Sequence, residues 1–114
     1  MATLGCVIIT KNEEANIEDC LASVAWIAER VVVDAESTDR TVEFARRAGA
    51  RVLVRPWPGF GPQKNYGMDA AAAEWILIVD ADERVPPPLQ AEIRSRIDAW
   101  HAGDPEAYEI PRKN

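Results

Sequence analysis

Two carboxylates stand close together directly after an apolar stretch of the chain. Asp80 and Asp82 flank Ala81 and follow the run WILIV. An uninterrupted apolar run of this kind is typical of a strand buried on both faces. In extended backbone, Asp80 and Asp82 would point to one side while Ala81 faces away. Paired carboxylates suit Mg²⁺ or Mn²⁺, although an isolated Asp-X-Asp can also be a solvated acidic turn.

Two further polar segments follow apolar runs. Residues 10–13 (TKNE) end the run that starts at Leu4, and residues 34–37 (DAES) end the run that starts at Arg30. The carboxyl ends of parallel strands meet at one edge of a sheet, where ligands of such folds bind. Capping of a helix is the expected role of residues 37–39, but the joint placement of all three segments favours a ligand site.

Four apolar runs, of which residues 52–54 (VLV) are the third, alternate with stretches of helical spacing. We expect a first helix capped by Asn12, a second ending at Gly49, a loop over residues 55–62, a third helix over residues 63–73 and a fourth that is entered through the prolines at 86–88. Strand and helix thus alternate four times. This pattern predicts an α/β fold with a parallel sheet and helices on both faces.

The composition limits the kinds of molecule that this chain is expected to bind. The 114 residues have a formal net charge of −6 and no basic run, which argues against nucleic acid. Cys6 and Cys20 show no metal or redox spacing and are expected to be reduced and buried, as in a cytoplasmic protein. The apolar runs are too short to span a membrane. His101 lacks partners at metal spacing, so we expect a solvated position at a helix end.

The turn after the first run has neither GxGxxG nor GxxxxGK[ST]. Those loops need glycine so that their backbone can approach the phosphates, whereas residues 10–13 here all carry side chains. Phosphate charge would therefore have to be met by a metal held on carboxylates, together with Lys11 or Lys64. A metal-bound diphosphate fits these residues best.

Four blocks of the chain resemble family 2 glycosyltransferases of the GT-A fold, in their amino-terminal half. The blocks are VIITKNEE at residues 7–14, VVVD with STDRT at residues 31–41, PWPGFGPQKNY at residues 56–66, and DADER at residues 80–84. The bacterial lipopolysaccharide-core β-1,4-glucosyltransferases are the most similar branch. The resemblance implies a Rossmann-like half that binds a nucleoside-diphosphate sugar, with UDP-sugar as the expected donor.

The resemblance also assigns roles to residues. Thr10 and Glu13 would border the nucleotide, Asp34 would hydrogen-bond the base, and Lys64 would approach the base or the diphosphate. Sugar, ribose and a divalent metal would be held by the DAD block, with Asp80 and Asp82 as metal ligands. The implied nucleotide-sugar site comprises Thr10, Lys11, Asn12, Glu13, Asp34, Lys64, Asp80, Ala81 and Asp82. Many relatives have glycine at the position of Glu36, so this chain departs from the family there.

In the inverting enzymes of this family, an acceptor hydroxyl displaces the nucleoside diphosphate while a carboxylate base takes its proton. We expect residues 1–114 to be the nucleotide-sugar-binding part, the base to lie beyond Asn114, and residues 108–114 to open another strand. The acceptor would be a lipopolysaccharide-core glycan or a lipid-linked glycan, reached at the inner face of the inner membrane. An exposed sheet edge would permit a homodimer. The alternatives are a non-catalytic nucleotide-sugar-binding module and, with less support, an aspartate-dependent phosphatase.

Overall fold

A computed structural model describes residues 3–100. The predictions for His101 and for a strand over residues 108–114 lie outside this part of the chain. The strands and helices are β1 Leu4–Thr10, α1 Ile17–Ser23, β2 Glu29–Asp34, α2 Thr41–Arg47, β3 Arg51–Val54, α3 Phe60–Ala70, β4 Trp75–Asp80 and α4 Pro87–Asp98. The predicted alternation of strands and helices is confirmed.

The four strands form one parallel sheet in the order β3-β2-β1-β4. The chain moves outward from β1 through β2 to β3 and then returns to place β4 on the other side of β1. Strand order therefore reverses beside β1. In open parallel sheets the crevice at the carboxyl ends of the strands, next to such a reversal, is where ligands bind.

The helices cover both faces of the sheet, as predicted. On one face, α1, α2 and α4 pack against a large apolar cluster that includes Ile8, Val32 and Val79. On the other face, α3 covers a smaller cluster formed by Val7, Val31 and Val33.

Helix α3 lies very close to the sheet because one of its residues has no side chain. A Cβ atom added to Gly67 would lie 2.5 Å from Cγ1 of Val7 and 3.0 Å from Cγ2 of Val33. Gly67 is thus the contact point of α3 on β1 and β2.

The direction of α3 follows from the connections at its two ends. After the helix, the backbone N–H groups of Ala72 and Ala73 donate to the carboxylate of Glu29, the first residue of β2. The carboxyl end of α3 therefore lies at the amino edge of the sheet, and its first turn lies at the carboxyl edge.

Several predicted element boundaries were wrong. Helix α1 begins at Ile17 and not after Asn12, whose φ of 52° is left-handed. Helix α3 begins at Phe60, inside the predicted loop, and ends at Ala70. Proline is tolerated in the first turn of a helix, because its missing N–H would have had no partner there. Pro62 is therefore compatible with the early start of α3.

Among residues 3–100, no helix is both long and apolar enough to cross a membrane. Cys6 and Cys20 are buried free thiols, as expected. Burial raises the pKa of the Cys6 thiol to about 12 and that of the Cys20 thiol to about 11. Both are consequently neutral and poorly reactive near neutral pH.

Candidate functional site

Asp34, at the end of β2, is completely buried. Its Oδ1 accepts hydrogen bonds from Thr10 Oγ1 at 2.7 Å and from Ser37 Oγ at 2.6 Å. Its Oδ2 accepts one from the backbone N–H of Ser37 at 2.8 Å. The carboxylate thus ties the end of β1 to the turn after β2. That Asp34 also contacts a nucleobase stays a prediction.

The segment after β1 is joined to the segment before α2 through Asn12 and Glu13. The N–H of Asn12 donates to Ser37 Oγ at 2.7 Å, and Asn12 Oδ1 accepts from the N–H of Thr38 at 2.8 Å. The N–H of Glu13 donates to Thr41 Oγ1 at 2.8 Å. Asn12 therefore supports the approach to α2, whereas the sequence predicted that it caps α1.

Capping was predicted for residues 37–39, but the N-cap position of α2 is Arg40, which makes no side-chain cap bond, and Asp39 is the one of the three that bonds the first residue of the helix. Its Oδ1 accepts from the N–H of Thr41 at 2.9 Å and also from the Thr41 hydroxyl. Ser37 instead bonds Asp34, and Thr38 bonds Asn12. Polar residues that look alike as helix caps thus serve different purposes.

Lys11 is hydrogen-bonded to the backbone of the turn after β2. Its Nζ donates to the carbonyl oxygens of Ala35 at 3.0 Å and Glu36 at 3.1 Å. Glu36 has a φ of 56°, a left-handed conformation that costs a non-glycine residue about 1–2 kcal/mol. This conformation is the physical reason why glycine suits the position and why Glu36 departs from the family pattern.

The end of β4 turns earlier than the sequence suggested. The strand stops at Asp80, and a turn follows in which the N–H of Glu83 donates to the Asp80 carbonyl at 2.9 Å. Glu83 Oε1 accepts from the N–H of Asp80 at 2.8 Å and closes the turn. The premise of extended backbone through Asp82 was therefore wrong. Asp82 is exposed, Asp80 is half-buried and Ala81 is buried.

The side chains of Asp34 and Asp80 lie on opposite faces of the sheet. Thr10 pairs with Asp34 in the sheet. Val33, the residue before Asp34, faces α3, so Thr10 and Asp34 face the opposite side. Asp80 pairs with Ile9, so it shares the α3 face. Asp34 therefore points toward α1 and α2, and Asp80 points toward the side of α3.

A groove of about 480 Å³ opens beside these strand ends. It is lined by Lys11, Ala35, Glu36, Trp57 and Phe60. The two aromatic rings meet edge to face with centroids 4.9 Å apart, and both remain largely exposed. The groove thus combines a cation with flat apolar surfaces, which is the surface that a nucleobase needs.

The sequence reasoning missed Phe60 as a residue of the site. Phe60 falls in the predicted loop, and nothing in the local pattern marks it as a site residue. Lys64 lies on the next turn of α3, with Nζ 5.9 Å from the centroid of the Phe60 ring. Its predicted proximity to the nucleotide is compatible with this position beside the groove.

Within residues 3–100, no group of three or more His, Cys, Asp or Glu side chains is arranged to hold a metal ion. A metal site here would rest on Asp80 and Asp82 alone. Two carboxylates suit a Mg²⁺ or Mn²⁺ ion that completes its coordination with water and substrate phosphates.

Known proteins resemble this chain in sequence. The profile of Glycosyl transferase family 2 matches residues 6–103. An uncharacterized glycosyltransferase of Rickettsia bellii (strain RML369-C) is 48% identical over 108 residues, which are 94% of this chain and 37% of that protein. The lipopolysaccharide core biosynthesis glycosyltransferase LpsC of Rhizobium meliloti (strain 1021) is 36% identical over 92 residues, 76% of this chain and 34% of LpsC.

Solved structures resemble it in fold. Glucosyl-3-phosphoglycerate synthase from Mycobacterium tuberculosis, in complex with Mn²⁺, UDP and glucosyl-3-phosphoglycerate, superposes with a TM-score of 0.71 at 28% identity. The match covers 84% of this chain and 39% of the synthase. The chain thus spans well under half the length of these relatives. The Rossmann-like GT-A fold class is confirmed, and the chain belongs to glycosyltransferase family 2.

Proposed function

We propose that residues 1–114 form the nucleotide-sugar-binding part of an inverting glycosyltransferase. The observation that carries this proposal is the groove at the carboxyl edge of the sheet. It opens beside the ends of β1 and β2, on the same edge of the sheet as the Asp80-Ala81-Asp82 turn. A base and a diphosphate could therefore be bound side by side.

In the proposed complex the nucleobase stacks on Trp57 and Phe60. Stacking on an aromatic ring contributes about 1–3 kcal/mol per base in other nucleotide-binding proteins. Lys64 stands beside Phe60, where its ammonium group can approach the diphosphate. Lys11 is already bonded to two carbonyl groups and would support the groove wall as well as contribute positive charge.

The network around Asp34 would fix the borders of the nucleotide site. Thr10, Asn12 and Glu13 belong to the segment that this network joins to β2. A direct bond between Asp34 and the base requires Thr10 or Ser37 to release a carboxylate oxygen. Otherwise Asp34 would act by positioning its neighbours.

We propose Asp80 and Asp82 as ligands of a divalent cation, Mg²⁺ or Mn²⁺, with Ala81 as the buried anchor of their turn. When bound, such an ion neutralises charge that develops on the leaving diphosphate. Glu83 holds the backbone of the turn through its bond to the Asp80 N–H. The complexes of the M. tuberculosis synthase with Mn²⁺ and UDP support this assignment and favour UDP as the nucleotide.

The acceptor of the complete enzyme is proposed to be a glycan of the lipopolysaccharide core or a lipid-linked glycan. Similarity to LpsC supports this class of acceptor. A cytoplasmic enzyme at the inner face of the inner membrane would meet such acceptors. Homodimerisation is proposed through the exposed sheet edge. The base that deprotonates the acceptor is proposed to lie outside these residues.

Calorimetric titration with UDP, CDP, GDP and ADP, with and without Mn²⁺, tests the binding proposal. We expect Mn²⁺-dependent binding of UDP, weakened at least about ten-fold in Asp82→Asn because a charged metal ligand is lost. Asp98→Asn, an exposed aspartate on α4, is the matched control and should bind as the parent does. Failure of every nucleotide to bind would refute the proposal. Binding without sugar transfer by the complete enzyme would favour a non-catalytic module.

A further inference from the structure

Gln63 has a buried side-chain amide whose oxygen and nitrogen have no hydrogen-bond partner among residues 3–100. Its side chain is completely buried, and neither Oε1 nor Nε2 makes a hydrogen bond to any other residue within residues 3–100. Native proteins keep few buried polar groups in this condition, and each one calls for an explanation. A leucine would fill a similar volume without the cost of two unpaired groups.

The position of Gln63 can be derived from its neighbours on α3. Gly67, one helical turn later, is the contact point on Val7 and Val33. Since α3 begins at the carboxyl edge of the sheet, Gln63 lies nearer to that edge than Gly67 does. Ala35 lies two residues beyond Val33 along the chain and on the same face. Gln63 is therefore expected over the end of β2, on the side of the sheet where Ala35 lies.

This position is directly behind the wall of the groove. Ala35 lines the groove from the turn after β2, and Phe60, three residues before Gln63 on α3, lines it from the helix. Residues three apart on a helix are neighbours on its surface. Gln63 is thus a helix neighbour of Phe60 and is expected beside Ala35, and both of these residues line the groove.

The wall between Gln63 and the groove is not tightly held. Phe60 is 64% exposed and Trp57 is 47% exposed, and the two rings touch only edge to face. Exposed side chains change rotamer within nanoseconds. A flat ligand that turns the Phe60 ring and then stacks on it would meet the carboxamide of Gln63 at the inner end of the groove.

We propose that Gln63 hydrogen-bonds the nucleobase and supplies much of its affinity, an inference that rests on the proposed nucleotide-binding function. A carboxamide offers one acceptor and one pair of donors in a plane. Uracil offers the matching pair along one edge: its N3–H would donate to Oε1, and its O4 would accept from Nε2–H. Both unpaired groups of Gln63 would then be satisfied at once.

The test compares UDP with N3-methyl-UDP, in which the N3 donor is blocked, and with inorganic diphosphate, each titrated with Mn²⁺ present. The parent should bind UDP at least about ten-fold more tightly than N3-methyl-UDP, as expected when a buried donor–acceptor pair is broken. Gln63→Leu should bind the two nucleotides equally and diphosphate as the parent does. Asn65→Leu, which removes an exposed amide from the same helix, should keep the parent's preference.

A thermal melt of the unliganded variants separates this role from a structural one. Gln63→Leu should melt no lower than the parent, because it removes unpaired polar groups without leaving a cavity. Gln63→Met serves the same purpose should Gln63→Leu fail to fold. A Gln63 variant that keeps the preference for UDP over N3-methyl-UDP would overturn the inference while leaving nucleotide binding intact. Absence of UDP binding in the parent would instead refute the proposed function.

Discussion

The close contact at Gly67 predicts the effect of adding a single methyl group. In Gly67→Ala the new Cβ would lie 2.5 Å from Val7 Cγ1 and 3.0 Å from Val33 Cγ2, distances at which atoms must move apart. Both valines are completely buried and belong to central strands, so neither can yield easily. Forcing extra methyl groups into a packed core costs about 1–3 kcal/mol.

The intrinsic helix preference of alanine opposes this cost. Replacing glycine by alanine within a helix contributes about 1 kcal/mol in its favour. Gly67→Ala should therefore lower the free energy of unfolding by up to about 2 kcal/mol, the difference between the upper packing cost and the helix gain. For a domain of this size each kcal/mol corresponds to a shift of about 4–8 °C in Tm.

Gly61→Ala is the matched control, since it lies in the same helix and an added Cβ would meet no atom within 4 Å. It should leave stability unchanged or raise it by up to about 1 kcal/mol. Urea unfolding of the two variants beside the parent measures the difference. If Gly67→Ala were as stable as Gly61→Ala, the close approach of α3 to the sheet would be refuted.

Three other predictions concern the buried network, the strained turn and the thiols. Asp34→Asn should lower the free energy of unfolding by about 1–3 kcal/mol, because an amide NH₂ group would face donors of Thr10 or Ser37; unchanged urea unfolding would contradict the network. Glu36→Gly should raise Tm, because relief of a left-handed conformation that costs about 1–2 kcal/mol outweighs a backbone-entropy loss of about 0.5–1 kcal/mol. Glu36→Ala keeps the left-handed cost and should not raise Tm. Equal Tm values for the two variants would argue against strain at this position. Burial raises the thiol pKa values of Cys6 and Cys20 to about 12 and about 11 from an ordinary 9.0, so their stabilising contribution is present below pH 9 and is lost progressively as the pH rises from 9 through these two values. Urea unfolding between pH 8 and 11 should show a decline that is smaller in a variant with both cysteines changed to alanine.

The sequence determined the elements of the fold and the edge at which the site lies. Apolar runs without polar interruption specified four strands of a parallel sheet, because only strands covered on both faces need such runs. Polar residues at 10–13, 34–37 and 80–83 then had to meet at the carboxyl edge, since parallel strands end together. These inferences need only local patterns and one rule of topology.

Element boundaries depended on tertiary contacts. Asn is a residue type that often caps helices, yet Asn12 Oδ1 accepts a hydrogen bond from the N–H of Thr38, in the segment before α2. The turn at Asp82 is closed by Glu83 and not by any pattern of alternation. In both cases a polar side chain could bond several nearby backbone groups, and the tertiary structure determined which bond formed.

The division of the site between the two faces of the sheet was decided by the tertiary structure alone. Register places Asp34 toward α1 and α2 and Asp80 toward α3, which no local pattern encodes. The groove and the unpaired amide of Gln63 likewise depend on how α3 packs across β1 and β2. Burial of a polar group is a property of residues far apart in the chain, so its cost becomes visible only once those residues have come together.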